Sequence, residues 1–150
     1  METLVIPTNP IPWKRPACKG KRYYDSQVNQ KETFRWYAKL AHKSVLRGPE
    51  AICLYVEYLM PTPASWSNTK RLQAIGEPHT QTPDIDNLFK FILDAFNGVL
   101  WEDDRYISTI YGRKVWSEQG GVILHYGPDQ SFSLPDFLSR DEHCDQSSES

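Results

Sequence analysis

The sequence predicts an α+β fold: a mixed, largely antiparallel sheet with two to three helices packed on it. Three stretches carry that expectation. Residues 51–60, AICLYVEYLM, are β-branched and aromatic over ten positions, which reads as a strand. Apart from Glu57 this strand is apolar on both faces, so it belongs in the middle of a sheet. From Ile85 onward, Leu88, Phe89, Ile92, Leu93 and Phe96 recur at three- and four-residue spacing, the pattern of an amphipathic helix. Residues 105–116 and 122–126 flank Ser117-Glu118-Gln119-Gly120-Gly121, which reads as a strand, a hairpin turn and a return strand.

The other elements follow in order. Leu4-Val5-Ile6 is a short strand closed by Pro7. Pro10-Ile11-Pro12-Trp13-Lys14-Arg15-Pro16 is a rigid basic segment, and Lys19-Gly20-Lys21-Arg22-Tyr23-Tyr24 follows it. Cations and tyrosines around a glycine suit a loop that holds phosphates and offers aromatic surfaces to bases. An ordinary turn with solvated charges and inward-packed tyrosines is the alternative. Residues 26–46 are expected as a first helix with a loose apolar stripe: Val28, Phe34, Trp36, Tyr37, Ala38, Leu40, Ala41 and Val45. Lys31, Arg35, Lys39 and Lys43 recur every four residues on another side; this row either tracks a phosphate backbone or is simply solvated. Residues 64–75 form a second, shorter helix, capped by Ser65 or Ser67 and closed by Gly76. His79 lies in the next loop, where solvation is the default and contact with substrate or metal the alternative. Arg113-Lys114 is a second basic candidate, or a charged guard on a sheet edge.

At 150 residues the chain makes one domain with its own core. We expect residues 1–127 to form it and residues 128–150 to be an acidic, mostly disordered tail. Within the tail, Phe132, Leu134, Phe137 and Leu138 are the residues able to dock. The net charge of −2 argues against a nucleic-acid partner until its distribution is considered. Residues 1–48 hold ten Lys/Arg against three acids, and the tail from Asp129 holds six acids against Arg140 alone. A basic half on a body with acidic pockets suits a metal-dependent nuclease. Cys18, Cys53 and Cys144 have no disulfide or zinc spacing, which fits a reducing compartment. There is no signal-peptide pattern and no apolar run of membrane-spanning length. The expected setting is therefore cytoplasmic.

The chemistry concentrates in residues 83–104, PDIDNLFKFILDAFNGVLWEDD. Asp84 and Asp86 are both capping types at the mouth of the helix, and one cap needs only one of them. Asp86, Lys90 and Asp94 stack at i, i+4 and i+8. Asn97-Gly98 ends the helix, and Asp103-Asp104 follow in an acidic turn. Several carboxylates close together stay ionised only if a cation or donors compensate. Hard oxygen ligands suit Mg²⁺ or Mn²⁺. The bland alternative is two caps and a turn.

The run Pro83-Asp84-Ile85-Asp86-Asn87-Leu88, with Lys90, Asp94-Ala95, Asn97-Gly98-Val99 and Asp103-Asp104, resembles the signature of the RusA family. These are Holliday-junction resolvases, small Mg²⁺-dependent endonucleases. The resemblance extends over about residues 3–127. It implies Asp84, Asp86 and Asp104 as metal ligands, with Mg²⁺ as cofactor and Mn²⁺ as a substitute. It implies Lys90 as the phosphate-facing cation needed for cleavage, so the catalytic set is Asp84, Asp86, Lys90 and Asp104. It also implies a homodimer acting on branched DNA, a four-way junction above all, in recombination and repair. Lys14, Arg15, Lys19, Lys21, Arg22, Arg113 and Lys114 are the candidate DNA contacts. Thr82 and Tyr106 depart from the family pattern, which often has a basic residue and a glutamine at these points. Two rivals remain: a non-catalytic branched-DNA-binding protein of the same fold, and a transferase gripping a diphosphate with Asp-x-Asp. The second lacks a glycine-rich phosphate cradle.

Overall fold

The computed structural model describes residues 1–129. The elements run β1 (Glu2–Ile6), β2 (Ala17–Lys19), β3 (Arg22–Tyr24), α1 (Val28–Leu40), β4 (Ile52–Pro61), α2 (Asn68–Ala74), α3 (Ile85–Phe96), β5 (Ile107–Ser117) and β6 (Gly121–Pro128). A 3₁₀ turn at Asp104–Tyr106 precedes β5. The class is α+β, as expected: three helices with a mixed, mostly antiparallel sheet ordered β1-β6-β4-β5, and a separate two-stranded ribbon of β2 and β3.

The expected hairpin between β5 and β6 does not form. β6 pairs antiparallel with both β1 and β4, while β5 pairs parallel with β4. β4 thus separates the two strands that the Gly-Gly turn joins. Burial explains the arrangement. β4 is almost wholly apolar and sits between two neighbours, whereas β5 leaves Ile110, Gly112 and Arg113 exposed and takes the edge. The connection from β4 to β5 passes through α2 and α3, as a parallel pairing requires.

The first helix is also shorter than residues 26–46. Ala41 caps it and His42 turns left-handed at φ 52. The chain beyond is taken up in pairing: the Leu46 N–H donates to the Leu100 carbonyl, and the Glu102 N–H to the Leu46 carbonyl. The buried stripe of this segment is Gln27, Lys31, Phe34 and Ala38, while Val28, Trp36, Leu40 and Ala41 stay exposed. The second helix starts late, at Asn68, where the Ser67 hydroxyl accepts from the Lys70 N–H at 3.2 Å. Gly76 follows it with φ 85, a conformation that suits glycine.

The core sits between the four-stranded sheet and the helices α1 and α3, which pack against each other: Phe34 and Ala38 of α1 share it with Leu4 and Ile6 of β1. Phe91 on α3 meets Phe34 on α1 edge to face at 5.0 Å. Phe89 meets Tyr58 of β4 edge to face at 5.4 Å and lies so close to Gly112 of β5 that a Cβ there would be 2.2 Å from its ring. Gly112 is therefore the residue that lets α3 settle onto the sheet. Just past α3, Leu100 and Trp101 are fully buried and Val99 partly so. No described helix is long and apolar enough to cross a membrane. β6 runs through Pro128, one residue past the expected domain edge. The expectations for residues 130–150, including Phe132, Leu134, Phe137 and Leu138, lie outside the described residues.

Candidate functional site

The site is built along one exposed side of α3 and the turn that follows it. Asp84 occupies the N-cap position, but its carboxylate makes no capping bond. Its backbone carbonyl alone receives the Leu88 N–H, at 3.3 Å. Asp86 lies in the first turn and is exposed. Neither carboxylate makes a hydrogen bond or ion pair among the described residues. A capping role, the simplest structural reason for an aspartate here, is thus left unused by both. The helix dipole favours acids at this end, by about 0.3–1 kcal/mol each.

Lys90 lies one turn further on and is exposed, with its Nζ 5.7 Å from the centre of the Trp13 ring. It forms no ion pair with Asp86 or Asp94 among the described residues. Asp94 is instead bound to Lys31, whose Nζ lies 2.5 Å from it and 2.6 Å from Asp25. Lys31 is only 6% exposed, so it joins the start of α1 to the third turn of α3. Burial alone would lower its pKa; hydrogen bonds and charge from Asp25 and Asp94 outweigh that and raise it.

Asp104 is placed by two backbone devices. The Asp103 carboxylate caps the 3₁₀ turn by accepting from the Arg105 N–H at 3.0 Å, and the Asp104 N–H donates to the Asn97 side-chain oxygen at 3.1 Å. Gly98, at φ 78, makes the turn between them possible. Burial pushes the Asp104 carboxyl pKa up, and the hydrogen bond and charge of Asp103 and the charge of Asp94 add to it. Asp104 faces Lys90 and Asp94 across an open cavity of about 410 Å³, which Trp13 and Leu93 also line.

The three candidate metal ligands do not form a closed cage. Among the described residues no three His, Cys, Asp or Glu side chains stand close enough together to hold a metal ion. Asp94, a neighbour of Asp104, is already engaged by Lys31. The donor chemistry nevertheless fits a hard divalent cation. Asp84 and Asp86 are exposed, unpaired oxygens, and Mg²⁺ is commonly held by one or two carboxylates with water and substrate phosphates completing its shell.

The basic residues sort into two groups. Of the row on α1, Lys31 is buried in its ion pairs, Arg35 pairs with Glu32 and donates to the Ala95 carbonyl, and Lys43 pairs with Glu2. Three of the four are structural, and only Lys39 is not paired among the described residues. Lys14, Arg15, Lys19, Lys21 and Arg22 are all exposed and form no ion pair there. Their segment is fixed beside the site. The Trp13 backbone N–H donates to the Asn87 backbone carbonyl at 2.9 Å, and buried Gln27 binds the Pro12 carbonyl and the Lys14 backbone N–H.

The second basic pair makes contacts within the fold. Arg113 lies 3.3 Å from Glu57. The Lys114 ammonium donates to the carbonyls of Gln81 and Pro83, at 2.7 and 2.8 Å, and so clamps the loop that delivers Asp84. His79 is not solvated: it is 6% exposed, its ring centroid 4.3 Å from that of Trp116, and its backbone N–H donates to the Lys114 carbonyl. Burial lowers its pKa, with the Lys114 charge adding to the effect. Trp13, Lys31, Asn97 and the clamping role of Lys114 were not legible in the sequence as parts of this site. The one available signal was Asn97-Gly98, which carries both the helix stop and the hold on Asp104.

Comparison with known proteins bears on the same stretch. The uncharacterized protein YqaN of Bacillus subtilis (strain 168) is 30% identical over 84 residues, which cover 53% of this chain and 58% of that protein. The match thus spans little more than half the length of that curated relative. A family model described as endodeoxyribonuclease RusA matches residues 7–125, from the first proline-rich segment to the last strand of the sheet. With the Asp84–Asp104 stretch lying wholly inside that match, the chain belongs to the RusA endodeoxyribonuclease family.

Proposed function

We propose that this protein is a divalent-metal-dependent endodeoxyribonuclease that resolves Holliday junctions and related branched DNA. The observation that carries this reading is the pair of unpaired carboxylates at the mouth of α3, in a chain of this family. Asp84, Asp86 and Asp104 would hold Mg²⁺, or Mn²⁺ in its place. When bound, such an ion lowers the pKa of water and offsets charge on phosphate oxygens. Lys90 extends over Trp13 with no acid paired to it among the described residues, and it faces the added negative charge of the transition state. Trp13 and Leu93 give the cavity an apolar wall that strengthens this attraction. The cations of residues 14–22, unpaired among the described residues, bind flanking phosphates. A homodimer would set two such sites against the two strands of a two-fold-symmetric junction.

The direct test incubates the protein with a fixed four-way junction, a Y-fork and a linear duplex, with Mg²⁺ and with EDTA. Nicks in the branched substrates, bearing 5′-phosphate and 3′-hydroxyl ends and absent in EDTA, are expected. Tight junction binding without Mg²⁺-dependent nicking would instead favour the non-catalytic reading, which the lack of a three-acid cluster among the described residues supports.

The Lys114 clamp yields a second expectation. Lys114→Met frees the Gln81 and Pro83 carbonyls and lets Asp84 drift. Cleavage should fall by about 10- to 100-fold through kcat, with KM little changed. Lys114→Arg, which keeps donors within reach of both carbonyls, should restore most of the rate. Equal activity of the Met variant would show that the clamp is not needed to place Asp84.

A further inference from the structure

The β2–β3 ribbon stands apart from the main sheet and has no partner of its own in the described fold. Its register pairs Ala17 with Tyr24, Cys18 with Tyr23 and Lys19 with Arg22. Directly opposed residues share a face and successive residues alternate, so Tyr23 and Tyr24 point to opposite sides. Both rings are in solvent, 77% and 52% exposed. Neither hydroxyl makes a hydrogen bond among the described residues. A ribbon of two short strands is marginal by itself, and this one leaves its largest apolar surfaces uncovered.

The ribbon is not loosely attached. At its entrance the Trp13 N–H is held by the Asn87 carbonyl of α3. At its exit Asp25 is bound to Lys31, which also binds Asp94 of α3. Both ends are therefore fixed to the helix that carries Asp86 and Lys90, and the tyrosines project from that point. Gly20 at the tip has φ 66 and no atom within 4 Å of where its Cβ would be.

We propose that this ribbon is a base-stacking arm. Tyr23 and Tyr24 take bases whose faces are left unstacked at a branch point, while Lys19, Lys21 and Arg22 hold the adjoining phosphates. The inference rests on the reading of the chain as a branched-DNA nuclease. Three occupants are separated by chemistry. An intact duplex offers phosphates but keeps its base faces stacked inside. A second copy of the chain would bring a like-charged arm against this one. Unstacked nucleotides at a branch point offer both negative charge and flat apolar faces, the combination that aromatic and cationic side chains bind.

The test compares wild type with the doubly substituted Tyr23→Ala/Tyr24→Ala and Tyr23→Phe/Tyr24→Phe proteins. Binding in EDTA is measured to a four-way junction with 2-aminopurine at the branch point, and to a linear duplex of the same sequence. The alanine protein should lose about 5- to 100-fold in junction affinity and fail to change the 2-aminopurine fluorescence. Its duplex affinity should be unchanged, and the phenylalanine protein should match wild type. Equal losses on junction and duplex, unchanged junction binding, or a change in oligomeric state on gel filtration would each overturn the proposal. If wild-type protein binds and alters the fluorescence but never nicks DNA with Mg²⁺, the nuclease reading fails while the arm stands.

Discussion

Asp86→Asn is expected to abolish Mg²⁺-dependent cleavage of a four-way junction, by about 10³-fold or more, while junction binding is kept or tightened. The substitution preserves size and removes one charge from an exposed first-turn position. It breaks no hydrogen bond or ion pair among the described residues, so stability should fall by no more than the helix-dipole contribution of about 0.3–1 kcal/mol. The loss would fall on the chemical step, where a ligand that positions a divalent ion contributes about 4 kcal/mol or more. Binding should tighten because a negative group next to a phosphate has gone. A single-turnover nicking assay beside a gel shift and a thermal melt separates the three quantities. Wild-type cleavage by Asp86→Asn would remove Asp86 from the site. Parallel loss of cleavage and binding would make it a DNA contact rather than a metal ligand.

The contrast between Asp86 and Lys31 shows what the sequence disclosed. The α3 helix was legible because its apolar period is strong and local, and Asp84, Asp86 and Lys90 came with it as neighbours on that helix. Lys31 was not, because its burial depends on Asp25 six residues away and Asp94 sixty-three residues away. On spacing alone it belonged to a solvated row. The β5–β6 turn failed for a related reason. Gly120-Gly121 specifies a reversal but not whether a third strand enters between the two arms, and that is decided by which strand most needs burial. The exposed tyrosines of β3 were similarly undecidable, since a ring packed inward and a ring left in solvent have the same local sequence. The positions of the acids follow from the helix and the turn. Their distance from one another depends on how the Asn97–Asp104 turn folds back, which no periodicity encodes.

Phe91→Ala is expected to give the opposite pattern, a large loss of stability with a small loss of chemistry. Phe91 is fully buried, meets Phe34 edge to face at 5.0 Å, and holds α1 against α3. Truncation removes its burial and leaves a cavity that a helix fixed on both sides cannot easily close, at a cost of about 3–5 kcal/mol. For a chain of this size the melting temperature should fall by roughly 10–15 °C. Aromatic edge-to-face contact contributes about 0.5–1.5 kcal/mol of this, so Phe91→Leu should recover more than half of the lost stability. Well below its melting temperature the alanine variant should still nick a junction within about tenfold of wild type, because Asp25–Lys31–Asp94 and the Trp13–Asn87 bond continue to place the site. If instead cleavage disappears while the protein is still folded by circular dichroism, the position of α3 against α1 sets the catalytic geometry directly. The ion pairs around Lys31 would then be too weak to hold it alone.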